Sequence, residues 1–194
     1  MKKVALIGLG AMGVLYSDLL YSVLQDDFFV IADKKRIGRY ETEGVYCNGA
    51  RCQFPYRSAT EAEPVDLLLV GVKFGGLQAA IAEAAPFVQQ GTVIISLLNG
   101  ISSEKILQQA FPQAHGLYCI AQGMDAVKDG NQASYLHKGV LVLGEADGGR
   151  SEALQAVGQL FDKAEIPYTV SDTIIRKLWS KLMLNTGINQ VVMV

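Results

Sequence analysis

The feature that most constrains this chain is the hexapeptide Gly8-Leu9-Gly10-Ala11-Met12-Gly13, set between the apolar run Val4–Ile7 and an amphipathic stretch, residues 11–25. Where a strand turns into a helix, three glycines at this spacing have separate jobs. The first permits a tight turn, the second lets a bulky anion approach the backbone, and the third lets helix and strand pack closely. The helix start then offers unpaired amide N–H groups and positive potential. Elsewhere in a chain such a hexapeptide is weak evidence. Here Leu15, Leu19, Leu20, Val23 and Leu24 form one helical stripe, and a second apolar run follows at residues 28–32. A strand–helix–strand unit around the glycines predicts a dinucleotide held by its pyrophosphate.

Further apolar runs at 67–72 and 92–98 flank a segment in which Leu77, Ala80, Ile81 and Ala84 recur at helical spacing. The runs show almost no polar alternation, so both faces of their sheet should be covered. The fold class expected is α/β, a doubly wound Rossmann-type parallel sheet. Residues 34–63 do not read as a simple crossover, because residues 45–52 read as a hairpin turning at Asn48-Gly49. Residues 102–110 and 151–164 read as helices. Residues 117–127 and 139–143 read as extended, with a polar turn at Lys128-Asp129-Gly130-Asn131 between them, and 167–170 as a last short strand. From Asp172 a helical pattern runs on without a Gly or Pro stop signal and finishes on Val191-Val192-Met193-Val194. That apolar run either packs on a partner subunit, as in a homodimer, or opens a second domain. The division expected is a dinucleotide-binding domain at 1–170 and the first helix of a helical substrate or dimerisation domain at 171–194.

The chain has 194 residues, 50% hydrophobic and 19% charged, which excludes disorder, and its net charge of -2 argues against a nucleic-acid partner. The apolar runs are too short to span a bilayer, and Met1-Lys2-Lys3 does not lead into a secretory signal. Cys47, Cys52 and Cys119, with His115 and His137, lack metal-ligand spacing and read as structural. A reduced, cytoplasmic domain without metal is expected.

Asp33 and Lys34 sit at the end of the second apolar run. A carboxylate there suits the ribose diol of NAD, whereas Lys34, Lys35 and Arg36 suit the 2′-phosphate of NADP. Both cofactors remain open on these residues, and the basic run also reads as a solvated loop. Lys73 ends the third run and Asn99-Gly100 the fourth, at the edge where open parallel sheets bind ligands. Lys181, Asn185 and Asn189 are spaced four apart, so they share one helix face. Asparagine is a poor helix-interior residue, and this face accepts that cost for a site or is simply solvated. A lysine there can protonate a developing alkoxide, and amides can orient a polar substrate.

Together these residues resemble the ketopantoate reductase family. The resemblance runs through the glycine loop, Lys73, Asn99-Gly100 and the Lys181-x-x-x-Asn185-x-x-x-Asn189 pattern. It implies NADPH-dependent reduction of 2-dehydropantoate, a 2-keto acid, to pantoate, a step toward pantothenate and coenzyme A. It makes Lys181 the general acid and Asn185 and Asn189 substrate contacts, and it places Lys73 and Asn99 by the nicotinamide. It also implies that the chain continues into a helical domain. The loop is similar, too, to that of the β-hydroxyacid dehydrogenases, but residues 174–180 lack the glycine-rich segment those enzymes place before their lysine. A dinucleotide-binding module without turnover is the third reading.

Overall fold

The computed structural model describes residues 1–192, with side chains through residue 187. In chain order the elements are β1 (Val4–Ile7), α1 (Ala11–Leu24), β2 (Phe28–Ile31), α2 (Lys34–Glu43), β3 (Tyr46–Cys47), β4 (Ala50–Arg51), β5 (Tyr56–Arg57), β6 (Leu67–Val70), α3 (Leu77–Ala84), β7 (Val93–Ser96) and α4 (Ser103–Ala110). They continue as β8 (His115–Gln122), β9 (Val127–Asp129), β10 (Gln132–Ser134), β11 (Val140–Gly144), α5 (Glu152–Lys163), β12 (Tyr168–Val170) and α6 (Ile174–Val192).

Eight strands form the main sheet in the order β12-β11-β8-β7-β6-β1-β2-β5. From β5 to β8 all neighbours are parallel, and numbered along the chain these six follow the 3-2-1-4-5-6 order of the doubly wound Rossmann sheet. The strand order reverses between β1 and β6, so the ligand crevice of such a sheet lies above that pair. β11 runs antiparallel to β8 and carries β12 parallel to itself, which makes the full sheet mixed.

The four central strands are buried on both faces, as the unalternating runs require. On one face Leu6, Val30, Leu69 and Ile95 pack against Leu15 and Leu19 of α1 and Val157 and Phe161 of α5. On the other, Ile7, Phe29, Leu68 and Ile94 pack against Leu77 and Ala80 of α3 and Leu107 of α4. At about 25 cal/mol per Å² of apolar area, these two layers supply the main drive for folding.

Three readings of the sequence need correction. The basic run Lys34-Lys35-Arg36 is not a loop but the first turn of α2, because Asp33 caps it by accepting the Arg36 N–H at 2.8 Å. Lys128 and Asp129 are not turn residues. They belong to β9, which turns at Gly130-Asn131 into β10, with Asp129 opposite Gln132. The extended stretch at 117–127 therefore splits between two sheets, its first part in β8 and its last residue in β9. β9 and β10 join the expected hairpin β3–β4 in a separate four-stranded sheet, order β4-β3-β10-β9. That hairpin turns at Asn48-Gly49, both at positive φ (49° and 84°), the geometry of a two-residue hairpin turn.

Ile174 and Leu178 fix α6 to the sheet by packing on Ile120 of β8 and Val142 of β11. Among the described residues no helix is long and apolar enough to cross a membrane. The run Val191-Val192-Met193-Val194 lies outside the residues whose side chains are described.

Candidate active site

The glycine loop is held by backbone contact. Gly8 adopts φ +103°, and a Cβ there would stand 2.7 Å from the Gly71 carbonyl carbon and from Val72. A Cβ on Gly13 would stand 1.9 Å from the Gly8 oxygen. Neither position admits a side chain. Gly71, which follows β6, joins this packing, since a Cβ on it would lie 3.1 Å from the Gly8 oxygen. Gly10 behaves differently: it is exposed, caps α1, and a Cβ on it would meet only the Gly71 oxygen, at 3.8 Å. Its open side faces the crevice, where a pyrophosphate can reach the backbone. The residues present thus fit a dinucleotide. Leu9 is buried, while Ala11 and Met12 form the first, half-buried turn of α1.

At the end of β2, the Asp33 carboxylate is already engaged by the Arg36 amide and, at 3.4 Å, by the Arg36 guanidinium. Lys34 and Lys35 are exposed on the first turn of α2.

A second centre forms beyond β7 and β8. Ile174 and Leu178 anchor the α6 stripe to the sheet, and Lys181 is the next residue on it. Its Nζ donates to the Asn99 Oδ1 at 3.0 Å and to the Ala121 carbonyl at 2.6 Å, partners 82 and 60 residues away. Burial pushes the Lys181 amine below the ordinary lysine value, and the Cys119 thiol beneath it acts in the opposite sense. The ammonium stands at one wall of a cleft of about 620 Å³ that Asn99, Gln122, Met124, Lys177 and Asn185 also line. The Asn99 loop rests on a buried relay. The Leu98 N–H donates to the Ser96 Oγ, which donates to Ser103 Oγ, which donates to the Glu104 Oε2. The other Glu104 oxygen is buried without a partner, and burial raises the carboxyl's pKa.

The structure thus brings Lys181, Asn99 and Asn185 to one cleft. Lys73 is exposed at the end of β6 and does not line that cleft. The Asn189 side chain lies outside the described residues. Sequence reasoning missed Gly71, the Ala121 carbonyl, the relay to Glu104, and Lys128, whose Nζ donates to the Leu9 carbonyl at 2.6 Å. A signal existed for the hairpin that carries Lys128, in Asp129-Gly130, but none for where its amine ends. Among the described residues no group of three His, Cys, Asp or Glu could hold a metal.

Residues 4–148 match the protein family described as "Ketopantoate reductase PanE/ApbA". The chain belongs to the ketopantoate reductase family. Within that family it is 26% identical over 193 residues to the 2-dehydropantoate 2-reductase of Pyrococcus abyssi, covering 97% of this chain and 63% of the relative. The chain therefore spans a little under two thirds of that relative's length. The crystal structure of 2-dehydropantoate 2-reductase from Geobacter metallireducens superposes with a TM-score of 0.78 at 24% identity, over 94% of this chain and 62% of that one. A ternary structure of D-mandelate dehydrogenase with NADH and anilino(oxo)acetate shares the fold at TM-score 0.80 and 21% identity, over 94% of this chain and 61% of that one. The fold is thus common to a protein named for a 2-keto acid and one named for a 2-hydroxy acid.

Proposed function

We propose that this protein reduces 2-dehydropantoate to pantoate with NADPH, as a step toward pantothenate and coenzyme A, with Lys181 as general acid. The observation that carries the reading is the Lys181 ammonium, meeting both the Asn99 amide and the Ala121 carbonyl at the wall of an open cleft. The cofactor, when bound, supplies a hydride to the keto carbon. As that carbon gains hydride, negative charge gathers on its oxygen. Lys181 stabilises the charge and gives it a proton, leaving a hydroxyl and a neutral amine that water reprotonates. A lysine whose pKa is lowered by burial gives up its proton more readily at neutral pH, which suits this role. Asn99 holds the ammonium in place through its Oδ1, and Asn185, one turn beyond Lys181, and Asn189 supply amides to a polar substrate. Lys73, at the end of β6, is assigned to the nicotinamide side with Asn99. Residues 8–13 take the pyrophosphate.

The choice of NADPH is supported by Asp33 and Lys34. The carboxylate that would accept a ribose diol is committed to capping α2, which leaves Lys34 and Lys35 beside the helix start to meet a 2′-phosphate. Asp33 is also the one observation favouring a second reading, NADH-dependent reduction of another 2-keto acid, should it release Arg36 on binding. A cytoplasmic homodimer is proposed with this function. Trp179, Met183 and Leu184 are exposed on α6, which is consistent with a partner there.

The test is a fluorescence titration with NADPH and NADH, followed by turnover with 2-dehydropantoate and a panel of other 2-keto acids. Tighter NADPH and a preference for 2-dehydropantoate are expected. Tighter NADH with preference for another keto acid would replace the first reading by the second.

A further inference from the structure

The glycine loop lacks charge. Residues 8–13 carry no ionisable side chain, yet a dinucleotide brings two negative charges to them in its pyrophosphate. The N-terminus of α1 offers about half an elementary charge in compensation. A cation is present at this spot, and it comes from the other sheet. Lys128, in β9, extends its Nζ to the carbonyl of Leu9, the residue before the α1 cap Gly10. That hydrogen bond uses one of three ammonium protons and leaves two.

The environment of this amine favours an anion. Lys128 is half-buried, and no carboxylate pairs with it among the described residues. Burial and the nearby Arg39 guanidinium both push its amine below the ordinary lysine value. Arg39 and Lys128 line one cleft of about 460 Å³ between α2 and the small sheet, together with Tyr40, Glu43 and Asn131. A half-buried ammonium beside an exposed guanidinium of the same sign is costly until an anion joins them.

We propose that Lys128 is a phosphate-binding residue of the dinucleotide site, contributed by the small sheet, with Arg39 as its neighbouring cation. This rests on the dinucleotide reading above. It gives the four-stranded sheet a purpose: the β9–β10 hairpin carries to the glycine loop the charge that its own sequence lacks. The group recognised is a phosphate, either the pyrophosphate shared by both dinucleotides or the 2′-phosphate of NADPH alone.

The experiment titrates the wild-type chain, Lys128→Met, Lys128→Gln and Lys128→Arg with NADPH and with NADH, and melts each protein. Lys128→Gln removes the charge but keeps a donor for the Leu9 carbonyl, so it separates electrostatics from fastening of the loop. Expected is a loss of about tenfold or more in affinity for Met and Gln, with Arg close to wild type and melting temperatures similar. An equal loss for both dinucleotides assigns Lys128 to the pyrophosphate, and a loss for NADPH alone assigns it to the 2′-phosphate. Wild-type affinity in both Met and Gln variants overturns the proposal and leaves the dinucleotide reading standing. A wild-type chain that binds neither dinucleotide overturns both. Should the variants fail to fold, amine acylation of wild-type Lys128 followed by mass spectrometry decides. Saturating NADPH should protect Lys128 several-fold, and unchanged labelling would count against it.

Discussion

The glycine loop and the Lys181 cleft sit at the same end of one sheet, yet they are built by different physics. The loop is fixed by exclusion. Gly8, Gly13 and Gly71 approach so closely that any side chain would meet backbone, and the positions are set by neighbours five residues away and one strand across. The cleft is fixed by attraction. Lys181 reaches Asn99 and Ala121 through two hydrogen bonds between segments 60 and 82 residues apart, on a helix anchored by Ile174 and Leu178. A region held by exclusion tolerates no change and needs no partner. A region held by a few polar contacts can be tuned one residue at a time.

Four experiments would break or sharpen this contrast. Gly13→Ala should do the most damage, because its methyl would overlap the Gly8 oxygen. A loss of order 3 kcal/mol in stability and loss of dinucleotide binding are expected, read by chemical denaturation and fluorescence titration. A well-folded variant that still binds NADPH would mean the loop is less rigid than its contacts imply. Next, Lys181→Ala should slow keto-acid reduction by roughly 10²- to 10⁴-fold while cofactor affinity stays near wild type. Equal losses in both would remove Lys181 from the acid role.

Asn99→Ala is expected to cost about tenfold in rate. Asn99 accepts a hydrogen bond from the ammonium and so favours its charged form. Without it the Lys181 amine should fall further below the ordinary value, and the basic limb of the pH–rate profile should move to lower pH. An unmoved limb would separate Asn99 from proton transfer.

The smallest effect is expected at Glu104. Its carboxyl holds its proton above the ordinary value of 4.5, because burial disfavours the charge. Above that value the unfolded chain has lost the proton while the folded chain keeps it, so stability falls as pH rises through the folded-state pKa. Glu104→Gln should flatten that slope and raise stability near neutral pH by about 1 kcal/mol or less, measured by thermal melts across pH. An unchanged slope would show that the carboxyl is not the group responsible.

Legibility in the sequence followed the same divide. The glycine loop, the four central parallel strands and the Asn48-Gly49 turn could be read because each depends on residues adjacent in the chain, whereas β5 (Tyr56–Arg57), too short to form an apolar run, was not. The face shared by Lys181 and Asn185 was also legible, since helical spacing alone defines it. The basic run at Lys34 was misread as a possible loop because its helix start depends on the Asp33 cap, a contact that turn and charge patterns did not separate from ribose binding. Lys128 was misplaced because Lys-Asp-Gly-Asn is polar throughout, and only strand pairing with Gln132–Ser134 makes its first half a strand.

By itself, then, the sequence determined the layered α/β architecture, the glycine turn after β1 and the set of polar residues available to a site, because periodicity and glycine sterics act over a few residues. Which of those residues meet was decided by the tertiary structure. The contact of Lys181 with Asn99, the support of the Asn99 loop by Glu104 and the reach of Lys128 to Leu9 each join segments that only the packing of α6, α4 and the small sheet brings together. Such contacts depend on long loops being closed and side chains being oriented, and local sequence encodes neither.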